Sequence, residues 1–600
     1  MSRLRPAAAP LTALAAAVAL LACGSNSSAN GPSVETVAAR SNPVAVSPLP
    51  GTPDAPPGTQ ISFLGASGTT VTAVSVHGSR SGTHSGTLRA YSTGTGESFV
   101  PSKPFASGET VTVHAQVNGP ASGAVATSFT IASPYTPSQK MFPNNPGNAS
   151  EVQHYASAPT LTPSSVRILT AAKPGAAPGY LFLAPYQGKG TPGPMIVDQS
   201  GNLVWFHPLA HDWDATNLQV VRYEGKPTLA WWQGRILEVG FGQGEYVLAD
   251  SSYRQIARIR AGNGLRADLH EIRVMPDGTA WIDAFYPVYK NLTSVHGVAN
   301  GVLNDSVVQQ VDIKTGLVMW EWHSYGHIPF SESNNQVPAR VYPWDFVHMN
   351  SVDPGSSGDV LVSSRNTWAL YDLDVRSGAI RWRLGGKRSN FKQGPGAQFY
   401  WQHDAEWQPG GLISLFDNGS DPPKEKQSRG LLLAPDQASH TVTLKQAFTN
   451  PSRTLLAESQ GNTLALPGGA WLMGYGRLPD FTEYDSAGHA LLDGRLGHNV
   501  QDFRTYLSPW TGRPSSPPSL AVKRGAAGTL SLAASWNGAT EVASWRVLAG
   551  ASAGSLAPVA SAPKKGFETT ISAPSAGPYA QVQALDAAGN AIGSSAVVKA

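Results

Sequence analysis

Six hundred residues exceed what one hydrophobic core organises, so the chain is expected to divide into several domains. Charged residues are 14% of it, against roughly 25% in ordinary domains. The net charge of +3 and the lack of any Lys/Arg block exclude a nucleic-acid surface, and a single cysteine, Cys23, excludes an internal disulfide.

Arg3 and Arg5 precede an apolar run, Leu11 to Leu21, too short to cross a bilayer as a mature helix but suited to a secretory signal over 1–22. The run ends in "LLACGSNSS", which resembles a bacterial lipobox. That resemblance implies an exported lipoprotein with Cys23 as its lipidated first residue, membrane-anchored through that lipid and facing the periplasm or the cell exterior. The Ser/Asn/Gly/Pro-rich stretch 23–43 reads as a flexible tether.

Sixty-two glycines and 47 prolines favour many short strands joined by turns. From 44 to 132, runs such as "TTVTAVSVHG" and "ETVTVHAQV" alternate β-branched and polar residues, which predicts an Ig-like β-sandwich. A Pro/Ala/Ser-rich linker is expected over 133–163. Beyond "GRPSSPPSL", residues 512–600 resemble a fibronectin type III domain through Trp536, Trp545, Tyr579 and "ALDAAGN".

The segment 164–511 repeats. A strand, an Asp turn and a second strand recur around Asp198, Asp250, Asp312, Asp374, Asp436 and Asp485, with gaps of 52, 62, 62, 62 and 49 residues. A second strand-turn-strand element alternates with the first, its earliest copy being "SSVRILTAAKPGAAPGYLFLA". Two hairpins per unit and six units predict six four-stranded sheets. No unit can bury its own faces, and radial closure into a six-bladed β-propeller removes the exposed edges. The expected fold class is therefore all-β: the propeller flanked by two sandwiches.

Aligning the second element on its turn glycine brings polar residues into register. Asn217, His270 and His403 stand eight residues before Gly225, Gly278 and Gly411, as Arg167 does before Gly175. His348 and Asn462 stand seven before Gly355 and Gly469, with Asn350 on the same face as His348. A single histidine is ordinarily a core or surface residue; three at one repeat-equivalent position point to a shared mouth of a central channel. Arg365 and Arg477 follow the return strands of their hairpins and can reach that mouth. A guanidinium there favours an oxyanion and opposes a tri-histidine metal site. His296, His323 and His327 fall in a weakly periodic stretch and read as loop residues without a role.

"DFVHMNSVDPGSSGDVLVSSRNTWALYDLDVRSGAIRWRLGG" followed by "FYWQHDAEW" resembles the bacterial arylsulfate sulfotransferases over roughly 179–497. The resemblance implies a propeller enzyme that passes a sulfuryl group from an aryl sulfate to a phenol with no nucleotide donor, no other cofactor and no metal. Carried over, His403 is the nucleophile that becomes transiently sulfated. His270, His348 and Arg365 hold the sulfuryl oxygens, with Asn350 beside them. Trp401 and Trp407, with Phe399 and Tyr400, are candidates to wall an aryl pocket. Relatives in the periplasm carry a disulfide that this chain cannot make, which leaves its donor open.

Two other readings stay open. A non-enzymatic propeller binding the cell surface would not need the three histidines. A metal- or quinone-dependent propeller enzyme is the second, since the Gly201/Trp205, Gly316/Trp320 and Gly378/Trp382 spacings resemble quinoprotein blades, whose usual count is eight.

Overall fold

The computed structural model describes residues 42–525 and 528–600; the expected leader, Cys23 and nearly all of the tether lie outside the described residues. Described secondary structure is strand, with only five three-residue 3-10 turns besides. Among the described residues no helix is long and apolar enough to cross a membrane.

Six sheets follow one another between residues 166 and 508, each with four antiparallel strands at its centre; short parallel strands add to sheets three and five. Sheet two is typical: Asp214–Tyr223, Lys226–Ile236, Gly242–Ala249 and Gln255–Ile259 pair in chain order. Sheet three opens on Ile272–Val274 and ends on Val318–His323; sheet four runs from Met349–Pro354 to Ile380–Gly385. Sheet five opens on His403–Gln408 and sheet six on Asn462–Ala465. The opening strands of sheets two to six touch in succession, and sheets six and two both contact the strand Tyr506–Ser508.

The six aspartates hold the same place in every sheet, the hairpin between third and fourth strands. Each uses Oδ1 to accept a backbone N–H two or three residues on: Ser200, Ser252, Lys314, Ser377, Ala438 and Ala487, at 2.8 to 3.0 Å. This side-chain turn is what makes Asp the residue of choice there.

The earliest hairpin departs from the expectation. Val166–Thr170 does not pair with Tyr180–Leu183; it adds to the outer edge of sheet six against Ala490–Leu496. Tyr180–Leu183 pairs instead with Tyr506–Ser508, which becomes the opening strand of sheet one. The two ends of the repeat region are thus exchanged between sheets one and six. Each covers an edge that would otherwise expose unpaired backbone groups.

Two four-stranded sheets built from 45–130 precede this array and share a core that includes Ile61, Phe63, Val111, Val113 and Phe129. Alternation is strict in Thr110–Asn118, whose every second side chain is buried. One of the two, the sheet that holds Ala45–Ser47 and Ile61–Leu64, rests on the last strand of sheet three: Ser62 Oγ donates to Val318 O (2.6 Å) and Ser47 Oγ accepts from Glu321 N (3.0 Å). The expected linker 133–163 is not loose. Its backbone bonds sheets two and three, with Tyr135 N donating to Pro287 O and Phe142 N to Ile236 O, both 2.8 Å. Residues beyond 512 form two further sheets around Leu530, Trp545, Val547 and Val582, docked on sheet one by paired bonds between Asn537 and the Phe206 backbone (2.9 Å each).

Candidate functional site

His270, His348 and His403 belong to three successive sheets, and each offers one ring nitrogen within 4.8 Å of the others. They line a cavity of about 200 Å³ together with Arg365 and Arg477. Local backbone explains the convergence. The opening strands of sheets two, four and five each carry a one-residue irregularity in register, at Thr216/Gln219, Met349/Ser351 and His403/Glu406. Beside them His348 (φ 55°), Trp401 (φ 53°) and Asp404 (φ 56°) hold left-handed backbone. Such conformations cost about 1–3 kcal/mol each in non-glycine residues and persist where packing imposes them. A bulge re-aims the residues beside it.

The structure separates residues that the glycine alignment put together. Asn217 and Asn462 do not line the cavity. Asn217 Nδ2 donates to Leu269 O (2.7 Å) and His270 O (3.0 Å), and Asn462 Nδ2 to Thr505 O (2.8 Å), so each ties its strand to the next sheet. Asn350 does the same, donating to Gln402 O at 2.8 Å, and is fully buried away from the cavity. Arg167 pairs across to Arg495 on the far edge of sheet six.

Each imidazole is oriented through Nδ1, and the partners differ. His270 Nδ1 bonds Asp268 Oδ2; His348 Nδ1 bonds Asp345 Oδ2 at 2.5 Å. His403 Nδ1 faces only neutral acceptors, Asn418 Oδ1 (2.7 Å) and Trp401 O (3.0 Å). The orientation of the Asn418 amide is fixed, because its Nδ2 donates to Ala457 O and Gln460 O, both at 3.0 Å. Its oxygen therefore accepts from His403, the proton sits on Nδ1, and Nε2 presents its lone pair to the cavity. The Gln460 backbone N–H donates to that lone pair at 3.2 Å. Burial, then the charge of Arg365, hold the His403 imidazole well below the usual histidine range, so it stays neutral. Burial also lowers His270, opposed by Asp268.

Arg365 is half-buried, with Nη2 on Glu458 O (3.0 Å) and Nη1 on Asn366 Oδ1 (3.2 Å). The residue lines the cavity beside the three imidazoles. Arg477 pairs with Glu458 at 2.9 Å beside it.

The expected aromatic wall lies elsewhere. Trp401 packs edge-on to Trp368 (4.7 Å between centroids) and Trp407 to Trp382 (5.9 Å), filling space between sheets four and five. Neither borders the cavity. Its aromatic lining comes from Phe142, Tyr186 and Phe503. Phe142 arrives from the expected linker and Phe503 from the segment before the closing strand, so neither carries a local signal of the site. Asp268 and Asp345, two and three residues before their histidines, were readable as orienting partners; Asn418 was not.

Beneath the imidazoles, Arg504 is fully buried on the contacts between sheets. Its Nη1 reaches Glu271 Oε2 (3.0 Å) and Asp404 Oδ1 (3.2 Å), and its Nη2 donates to Asn350 O (2.9 Å). Glu271 and Asp404 directly follow His270 and His403 in the chain.

The molecule is thus an all-β protein whose histidine-lined cavity is assembled by successive sheets. Residues 219–497 match the arylsulfotransferase (ASST) family. No curated protein matches the chain. Among solved structures it is similar to a Bacteroides caccae protein of unknown function (13% identity, 55% of this chain and 98% of that one, TM-score 0.34). It is also similar to virginiamycin B lyase from Staphylococcus aureus (9%, 62% and 96%, 0.29) and to Kuenenia stuttgartiensis hydrazine synthase (11%, 55% and 64%, 0.21). Likenesses this distant carry nothing about the reaction.

Proposed function

We propose that the protein transfers a sulfuryl group from an aryl sulfate to a phenol through a sulfated His403. The observation that carries this reading is the contrast among the imidazoles: one neutral with its lone pair on the cavity, two backed by carboxylates, and Arg365 beside them. In the first half-reaction Nε2 attacks sulfur, the N–S bond forms and the S–O bond to the aryl group breaks. The departing phenolate takes a proton from His348, whose ring Asp345 orients through Nδ1. His348 then removes the proton of the incoming phenol, whose oxygen attacks sulfur and restores neutral His403. Arg365 and His270 face the oxygens over which charge spreads. The Gln460 N–H, on Nε2 at rest, is placed to turn onto a sulfuryl oxygen.

Incubation with an aryl sulfate and no acceptor should leave an acid-labile sulfo group on His403, found by mass spectrometry of mildly handled peptides. Phenol release without that adduct, or no release across a panel of aryl sulfates, would sink the reading.

The same geometry predicts pH behaviour. A nucleophile held neutral by burial keeps its rate as pH falls through 6.5, where a free histidine would already be half protonated. Asn418→Asp puts a carboxylate on Nδ1, favours the imidazolium, and should move the acid limb of kcat/KM upward by about 1–3 pH units. An unmoved limb would show that Asn418 does not set the state of His403.

The finer architecture belongs to the same proposal: six blades over 164–511, an Ig-like sandwich over 44–132 and a fibronectin type III-like domain over 512–600. It is supported by the six equivalent Asp turns, the succession of opening-strand contacts and the exchanged end strands. Averaged electron-microscopy views down the axis should show six lobes; five or seven would refute it.

A further inference from the structure

His323, expected to lie in a loop, ends the last strand of sheet three and is 2% exposed. Around it stand Asp54, Asp305 and Glu321, each at most 1% exposed. Asp54 comes from the N-terminal sheets. Neither of its carboxylate oxygens has a hydrogen-bond partner, and His323 Nδ1 lies 3.5 Å from Oδ1. One donor atom each from Asp54, Asp305 and His323 lies within 4.8 Å of the others. The Tyr286 hydroxyl, on a ring 6.4 Å from that of His323, is also buried without a partner.

The surroundings resemble those of a held ligand set. His323 Nε2 lies 3.2 Å from Glu321 Oε1, and the other Glu321 oxygen accepts from Asn263 Nδ2 (2.8 Å) and Gln309 Nε2 (2.5 Å). A carboxylate that accepts a hydrogen bond from Nε2–H lets a cation displace the proton at Nδ1, the arrangement by which proteins orient metal-binding histidines. Asp305 is steadied through its other oxygen by Ser324 Oγ (2.6 Å) and Tyr325 N (2.7 Å), leaving Oδ2 toward His323 Nδ1 at 2.7 Å. Three carboxylates and one imidazole in a dry interior carry excess negative charge that a divalent cation would neutralise.

We propose that Asp54, Asp305 and His323 form a divalent-metal site that fastens the N-terminal sheets to sheet three. One imidazole nitrogen and two carboxylate oxygens suit zinc, with a fourth position for water, better than calcium, which asks for six to eight oxygens. The site is separate from the histidine cavity and needs no part of the sulfuryl-transfer reading.

Elemental analysis of the full-length protein, purified without chelator, should find about one zinc per chain. Stripping the metal should lower Tm, and added zinc chloride should restore it. Asp54→Asn and His323→Gln should each lose most of the metal, while His348→Gln, which disturbs the only comparable group of three histidines among the described residues, should keep it. The reverse pattern would place the ion in the cavity and overturn the proposal. So would metal-free protein whose Tm ignores added zinc, which would mean that Asp54 and Asp305 share a proton instead. Zinc-edge X-ray absorption on the unaltered protein should find one nitrogen among oxygens, unlike the three nitrogens of the cavity. Asp268→Asn, which breaks the other buried group of one histidine and two aspartates (Asp268, His270 and Asp283), should keep the metal; its loss there would overturn the proposal.

Discussion

Replacing His403 by asparagine is expected to lower kcat/KM for an aryl sulfate by at least about 10⁴-fold, because removing a nucleophile forfeits the covalent route altogether. The folded state should survive. The change leaves Asn418 Oδ1 short of one donor, a cost of about 1–3 kcal/mol, in a side chain set among six sheets whose other contacts persist. The circular dichroism spectrum and a Tm lowered by a few degrees check that half of the prediction. Removing a group that only stabilises the sulfuryl oxygens should cost less: about 10²–10³-fold for Arg365→Met. Combining His403→Asn with His348→Asn should be no worse than His403→Asn alone, since a proton relay has nothing to serve once the N–S bond cannot form. Strictly additive losses would mean that the two histidines act on different steps, and turnover by His403→Asn near the original rate would end the sulfohistidine mechanism.

What could be read from the sequence was what local chemistry dictates. The Asp turns were legible because the bond that stabilises each one closes within two or three residues, as at Asp250 and Ser252. The histidines were legible because the repeat carries them at a nearly fixed distance from a turn glycine. That distance does not say where a side chain ends up: Asn217 stands at the same eight residues as His403 and Asn462 at the same seven as His348, yet both bond neighbouring backbone. Long-range pairing was hidden. Nothing near Val166 says that its partner is Leu496, and nothing near Phe142 says that a stretch rich in proline and serine lays an aromatic ring on the cavity. Trp401 and Trp407 misled for a related reason. Aromatic residues beside a reactive histidine suit substrate contact and inter-sheet packing alike, and only the assembled neighbours, Trp368 and Trp382, decide for packing. The role of His323 was hidden because two of its three carboxylates, Asp305 and above all Asp54, come from distant positions.

Arg504 gives the largest expected effect on stability. Its guanidinium joins Glu271 of sheet three, Asn350 of sheet four and Asp404 of sheet five, while Asp404 Oδ2 accepts from Thr463 N of sheet six at 3.1 Å. Arg504→Met keeps much of the side-chain volume but leaves Asp404 with no cation in contact and Glu271 with Arg273 alone (3.4 Å), and breaking a buried ion pair by removing one partner costs about 3–5 kcal/mol. The loss should depend on pH with a definite sign. Burial already raises Asp404 to about 7, with Arg504 opposing the rise, so the variant raises it further. A carboxyl whose folded value exceeds its unfolded one binds its proton more tightly when folded, and stability falls as pH climbs through the interval between them. Urea unfolding should therefore show Arg504→Met closer to the unaltered protein at pH 5 than at pH 8. Because Glu271 and Asp404 adjoin His270 and His403, kcat should fall even where the variant is fully folded, through misplaced imidazoles. A variant equally stable at both pH values, or one with unchanged kcat, would show that the guanidinium neither neutralises these carboxylates nor positions the histidines above them.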